Sequence, residues 1–111
     1  MLESSYQGRL IRKLKRMFPD AFILKNDADY IQGIPDLLIL VGQKWAMLEV
    51  KQSSRSIIQP NQTFYVAQLN QMSFAAFIYP EIEEEVLNAL QQALEPDRPT
   101  RASRRKQVQL D

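Results

Sequence analysis

The 111-residue sequence contains no cysteine and no histidine, which excludes disulfides, the usual Cys/His zinc sites and hydrolytic machinery built on a histidine base. Apolar residues make up 45% and charged residues 24%, the makeup of one globular domain large enough to bury a single core. The net charge of +1 is unevenly spread, because residues 96–111 hold five basic and two acidic side chains and the remainder nine and eleven; such segregation suits a polyanionic partner or a solvated tail.

No apolar run approaches the ~20 residues of a membrane helix. A basic stretch from Arg9 to Arg16 falls where a signal peptide would place its apolar region. A soluble cytoplasmic protein with no membrane association is therefore expected.

In chain order, Leu2, Tyr6, Leu10, Leu14 and Met17 recur at three- and four-residue spacing, with Ile11 and Phe18 beside them. This predicts an amphipathic helix ending before Pro19. Its basic residues, among them Arg12 and Arg16, fall largely off the stripe and should be solvated. Ala21–Lys25 reads as a strand, followed by a polar turn region, Asn26–Asp29. Asp36–Val41 and Trp45–Lys51 are two further strands, and Gly42-Gln43-Lys44 between them is short enough for a hairpin. Ser53–Gln59 is a loop containing Arg55. Pro60 suits the first turn of a helix running to about Met72. Phe74–Tyr79 is a fourth strand. A last helix carries Ile82, Val86, Leu87, Leu90 and Leu94 on one face, with Glu81, Glu83, Glu84 and Glu85 near its N-terminus, where the helix dipole favours them. The expected fold is α/β, in the order α-β-β-β-α-β-α, with a mixed four-stranded sheet flanked by helices. Residues 1–95 form the domain and 96–111 a basic, flexible tail.

The chemistry concentrates between Gly33 and Lys51. Side chains alternate along a strand, so Glu49 and Lys51 emerge on one side while Leu48 and Val50 enter the other. Across a hairpin centred on Gly42-Gln43-Lys44, Asp36 and Glu49 lie near the same end of the sheet. Two neighbouring carboxylates repel unless a cation sits between them. Magnesium accepts one or two carboxylates plus a substrate phosphate, and an adjacent lysine steadies charge developing on phosphorus. The competing reading is a surface ion pair, common for an isolated Glu-x-Lys. Two further polar residues share helix faces with apolar ones. Glu3 lies in line with Gln7, Leu10 and Leu14, and Gln62 with Tyr65, Leu69 and Met72, so each either points toward the sheet or occupies an incompletely buried helix end.

Taken in order, Glu3 with Gln7, Gly33-Ile34-Pro35-Asp36, Glu49-Val50-Lys51 and Gln62 after a polar loop resemble the PD-(D/E)XK nuclease superfamily. The resemblance is closest to its VRR-NUC branch, found in stand-alone phage and bacterial proteins and in larger repair enzymes, and it spans about residues 2–94. It implies a restriction-endonuclease-like core. It also implies that Asp36, Glu49 and the main-chain carbonyl of Val50 bind Mg2+ (with Mn2+ as a substitute), that Lys51 is catalytic, and that Glu3 completes the acidic cluster. Gln62 would support the site or touch substrate. The implied substrate is DNA, often branched, flapped or junction-shaped, in a bacterium or an infected host cell. Lys51, Arg55, Arg12 and Arg16 are candidates for contacting the DNA backbone, with the tail beyond them. The small size and the resemblance together suggest a homodimer. Two other classes compete: a nucleic-acid-binding module that keeps the fold without turnover, and a small interaction protein whose tail docks an acidic partner.

Overall fold

A computed structural model of the chain describes residues 5–96. Glu3, Leu2 and the basic tail from residue 97 lie outside the described residues. The elements are α1 (Ser5–Met17), β1 (Phe22–Lys25), β2 (Leu37–Val41), β3 (Lys44–Val50), α2 (Pro60–Met72), β4 (Phe74–Ile78) and α3 (Glu83–Leu94). They form an α/β fold whose single sheet runs β1-β2-β3-β4. The first two pairings are antiparallel and the last is parallel, as it must be when a crossover helix, here α2, joins β3 to β4.

Hydrophobic alternation sets the register. Leu37 pairs with Leu48 and Ile39 with Ala46, and all four are fully buried on one face of the sheet. Against that face pack Leu10 and Leu14 of α1 and Val86, Leu87, Leu90 and Leu94 of α3. Each such large side chain contributes roughly 1.5–3 kcal/mol by leaving water, and a slip of one residue would turn the whole row outward. Within α1 the innermost line is Tyr6, Leu10 and Leu14, with Gln7 half-buried on its flank. The hairpin turn between β2 and β3 has two residues, since Lys44 already pairs with Val41. Gly42 supplies the positive φ of 60° that the first position of such a turn accepts most readily from glycine.

Two local expectations are corrected. Pro80 opens a short 3-10 turn, Pro80–Ile82, before α3 begins at Glu83, because a proline nitrogen with no proton is best placed at the start of a helical segment. Met72 is 72% exposed although Tyr65 and Leu69, grouped with it by spacing, are half-buried. Ten residues beyond Gln62, at 100° each, carry Met72 about 80° off the inward line.

The second face of the sheet is only partly covered. α2 lies over β3 and β4 and buries none of its own residues fully, while Phe22 and Leu24 of the edge strand β1 stand exposed. One close contact anchors α2 to the rest: Gly33, at φ 91°, lies so near Asn61 that a Cβ there would fall 2.6 Å from Asn61 Cγ. Gly33→Ala should therefore destabilise the fold by about 1–3 kcal/mol. Asn61→Ala in the same chain should recover only part of the steric share, because the Asn61 Cβ would itself lie 2.9 Å away, and it leaves the cost of a positive φ. Chemical denaturation of the parent and the two variants checks this; a Gly33→Ala protein as stable as the parent would contradict the contact.

Candidate active site

The end of the sheet opposite the hairpin turn collects the polar residues. Asp36 immediately precedes β2, and the Leu37–Leu48 pairing places it across from Glu49. Cross-strand partners point to the same face, so both carboxylates emerge on the α2 side, opposite the core. Lys51 follows β3 by one residue; its N–H continues the ladder to the Ile78 carbonyl at 2.9 Å, which keeps its side chain in phase with that of Glu49.

Asp36 is held from two directions. Its Oδ2 accepts the Val50 N–H at 2.9 Å, a bond that takes the place of a ladder acceptor where β2 has not yet begun. Its carbonyl accepts the Asn26 N–H at 2.8 Å, and Asn26 Nδ2 donates to the carbonyl of buried Pro35 at 2.9 Å. Main-chain groups of successive strand residues alternate in direction. Since the Lys51 N–H points to β4 and the Val50 N–H to Asp36, the Val50 carbonyl belongs to the Asp36 side.

Glu49 is only 4% exposed. Gln62 Nε2 donates to its Oε2 at 2.9 Å, and Lys51 Nζ lies 3.6 Å from the same oxygen. Lys51 Nζ also donates to Gln62 Oε1 at 2.8 Å and to the Ile57 carbonyl at 2.9 Å. Gln62 Oε1 further accepts the Gln59 N–H at 3.0 Å, so the amide that caps the start of α2 also joins the acid to the amine. Its orientation follows from its partners: two donors face the oxygen and a carboxylate faces the nitrogen. Replacing it with an isosteric apolar group, Gln62→Leu, removes both links. A loss of roughly 10- to 100-fold in divalent-metal affinity is expected, read by calorimetric titration of the purified chain; unchanged affinity would make Gln62 a helix cap only.

Burial pushes the Glu49 carboxyl up to about 7, with the Asp36 charge adding to the rise and Lys51 only partly opposing it. Burial likewise raises Asp36, against the lowering pull of the Val50 N–H and Lys51. Two desolvated carboxylates thus share a site whose one nearby ammonium does not neutralise both.

This donor set fits a hard divalent cation. Two carboxylate groups and one carbonyl are oxygen ligands of the kind magnesium or manganese takes, with water completing the shell, and a cation would relieve the repulsion that lifts Glu49. Among the described residues no group of three His, Cys, Asp or Glu side chains comes together; Glu3, expected as the third acid, lies outside them.

Of the residues expected from sequence, the fold brings together Asp36, Glu49, Val50, Lys51 and Gln62. Arg55 is exposed in the loop that follows Lys51. Arg12 and Arg16 are not brought to the site: they project outward from α1, which packs on the opposite face of the sheet. Asn26, Asn61 and the Ile57 carbonyl were not anticipated, because they act through tertiary contacts that spacing does not encode; Gly33, which opens the Gly33-Ile34-Pro35-Asp36 motif, was singled out but without its contact to Asn61.

No family model and no curated protein matches the sequence. A solved structure titled "VRR_NUC domain protein" superposes with a TM-score of 0.56 over 85% of this chain and 92% of its own, at 15% identity. That likeness establishes the fold alone: the chain shares the α/β architecture of that structure, a mixed four-stranded sheet flanked by helices. Among the described residues no helix is long and apolar enough to cross a membrane.

Proposed function

We propose that this chain is a divalent-metal-dependent endonuclease that hydrolyses DNA phosphodiester bonds, acting on branched or otherwise irregular DNA. The observation that carries the reading is the convergence of Asp36, Glu49 and the Lys51 ammonium at one end of the sheet, with Gln62 joining Glu49 to Lys51 and the Val50 N–H holding Asp36. In this reading Asp36, Glu49, the Val50 carbonyl and Glu3 hold Mg2+, for which Mn2+ substitutes. The bound ion would polarise the phosphoryl oxygen and lower the pKa of a water. Lys51, fixed by two hydrogen bonds, steadies negative charge as the water oxygen bonds to phosphorus and the bond to the leaving sugar oxygen breaks. Gln62 keeps Lys51 and Glu49 in register through that change. Arg55, one loop away, contributes salt-sensitive affinity for the backbone.

A homodimer is part of the same proposal, with the exposed Phe22 and Leu24 of edge strand β1 as the apolar surface that a second copy covers. Sedimentation equilibrium should return twice the chain mass, and Phe22→Ser with Leu24→Ser should return it to one.

The decisive experiment incubates the full chain with branched and linear DNA in magnesium, with and without chelator. Chelator-sensitive cleavage, stronger on branched DNA, is expected. Binding without cleavage in magnesium, and again with manganese in its place, would overturn the catalytic reading and leave a binding module.

A further inference from the structure

Three large apolar side chains stand in solvent on the loops that adjoin the site: Tyr30 is 84% exposed, Ile57 78% and Ile58 45%. One exposed apolar residue needs no explanation. These three, however, lie on the two loops that frame the carboxylates, and both loops are tied to site residues through their main chains. The Tyr30 loop is closed by the Tyr30 N–H to the Asp27 carbonyl at 3.1 Å and by the Asp29 N–H to Asp27 Oδ1 at 2.8 Å, and its base is anchored by Asn26 on Asp36. The other loop is held by Lys51 Nζ on the Ile57 carbonyl at 2.9 Å and by the Ser56 N–H on the Ser53 carbonyl at 3.1 Å. The two segments are brought close where Gly33, three residues after Tyr30, packs on Asn61 in the first turn of α2, three residues after Ile58.

We propose that Tyr30, Ile57 and Ile58 form an apolar rim that receives an unstacked nucleobase beside the phosphodiester held at Asp36, Glu49 and Lys51. The chain would thereby select DNA carrying unpaired nucleotides next to the cut. This rests on the nuclease reading of the same site and names what that site selects. The occupant follows from the surroundings. A nucleotide whose phosphate lies at Lys51 has its base within one loop's reach, and a base is the one part of DNA with an apolar face. Exposed Arg55 precedes Ile57 and suits a neighbouring phosphate, whereas Asp27 and Asp29 flank Tyr30 and repel one, so the Tyr30 side takes a base and not backbone. In a continuous duplex that base must first be unstacked at a free-energy cost, which is smallest where it is already unpaired. Aromatic stacking and isoleucine insertion then favour the open structure.

The test uses the full chain in chelator, so that binding is read without cleavage, with 2-aminopurine as the first unpaired nucleotide of a flapped duplex or at the same position in a fully paired one. The parent should bind the flapped DNA about tenfold more tightly, with 2-aminopurine emission quenched by stacking on Tyr30. Tyr30→Ala, and Ile57→Ser with Ile58→Ser, should shrink the preference to about twofold or less while binding of paired duplex stays unchanged. These sites are exposed, and thermal melts should match the parent. A parent without preference, or variants that keep it, overturns the proposal. So does a change of sedimentation mass in Ile57→Ser with Ile58→Ser at constant preference, which would assign the patch to contact between copies. Preference and quenching without magnesium-dependent cleavage would sink the nuclease reading and support this one; cleavage without preference would do the reverse.

Discussion

Asp36→Asn, Glu49→Gln and Lys51→Ala should each lower magnesium-supported cleavage of branched DNA by at least about 100-fold while leaving the fold intact. The magnitude is that of removing a charge aimed at the reacting phosphate or at the ion beside it, roughly 10²–10³ in rate. Retention of fold follows from the hydrogen bonds. In Asp36→Asn the amide oxygen still accepts the Val50 N–H, and in Glu49→Gln the new carbonyl still accepts Gln62 Nε2. In Lys51→Ala the Gln62 oxygen keeps the Gln59 N–H, and the Ile57 carbonyl turns to water. Single-turnover cleavage, with circular dichroism and thermal melts as controls, separates chemistry from folding. A variant with full activity would remove its residue from the mechanism, and full activity in Asp36→Asn together with Glu49→Gln would end the metal-site reading altogether.

The second large effect concerns stability. Glu49 titrates near 7 in the folded chain but near 4.3 when unfolded. Below the lower value the carboxyl is protonated in both states and costs nothing. As pH rises toward 7 the folded state must hold a proton that the unfolded state has released, so stability falls, and above 7 the loss is complete. The penalty is on the order of 4 kcal/mol at most. Glu49→Gln carries no such titration, so without divalent metal it should melt progressively above the parent as pH rises from 5 to 8, by several degrees or more for a domain of this size. Asp36 is shifted in the same direction, and because repulsion between the two acids is mutual, the comparison reads the Glu49 titration together with its coupling to Asp36. Magnesium should restore the parent above pH 7 and have little effect on Glu49→Gln, because the ion takes the place of the proton and its binding releases it. Parallel melting curves for the two proteins across this range would contradict the buried acid.

Two different physical signals reached the fold and the site. Periodicity located α1 and α3, because burial on one face imposes it directly: Tyr6, Leu10 and Leu14 in α1, and Val86, Leu87, Leu90 and Leu94 in α3, are buried at the spacings that predicted them, whereas α2, which buries none of its residues fully, was placed by the proline at its start. The same alternation put Glu49 and Lys51 on one side of β3, and a short hairpin had to bring Asp36 opposite Glu49. The boundaries moved by a residue or two where a turn or a proline, as at Pro80, outweighed the pattern.

From the amino-acid order alone, then, come the element sequence, the inward and outward faces, and the pairing of two acids with one lysine, since each follows from local spacing along helices and strands. Only the folded chain decided that Gln62 would bridge Glu49 to Lys51, that Ile57 would hold the lysine through its carbonyl, and that Asn26 would lock Asp36 from the far side. It also separated Arg12 and Arg16 from the site, since α1 and the carboxylates belong to opposite faces of the sheet. Those contacts join residues whose separation in the chain carries no period, and they depend on how loops close once the core has packed.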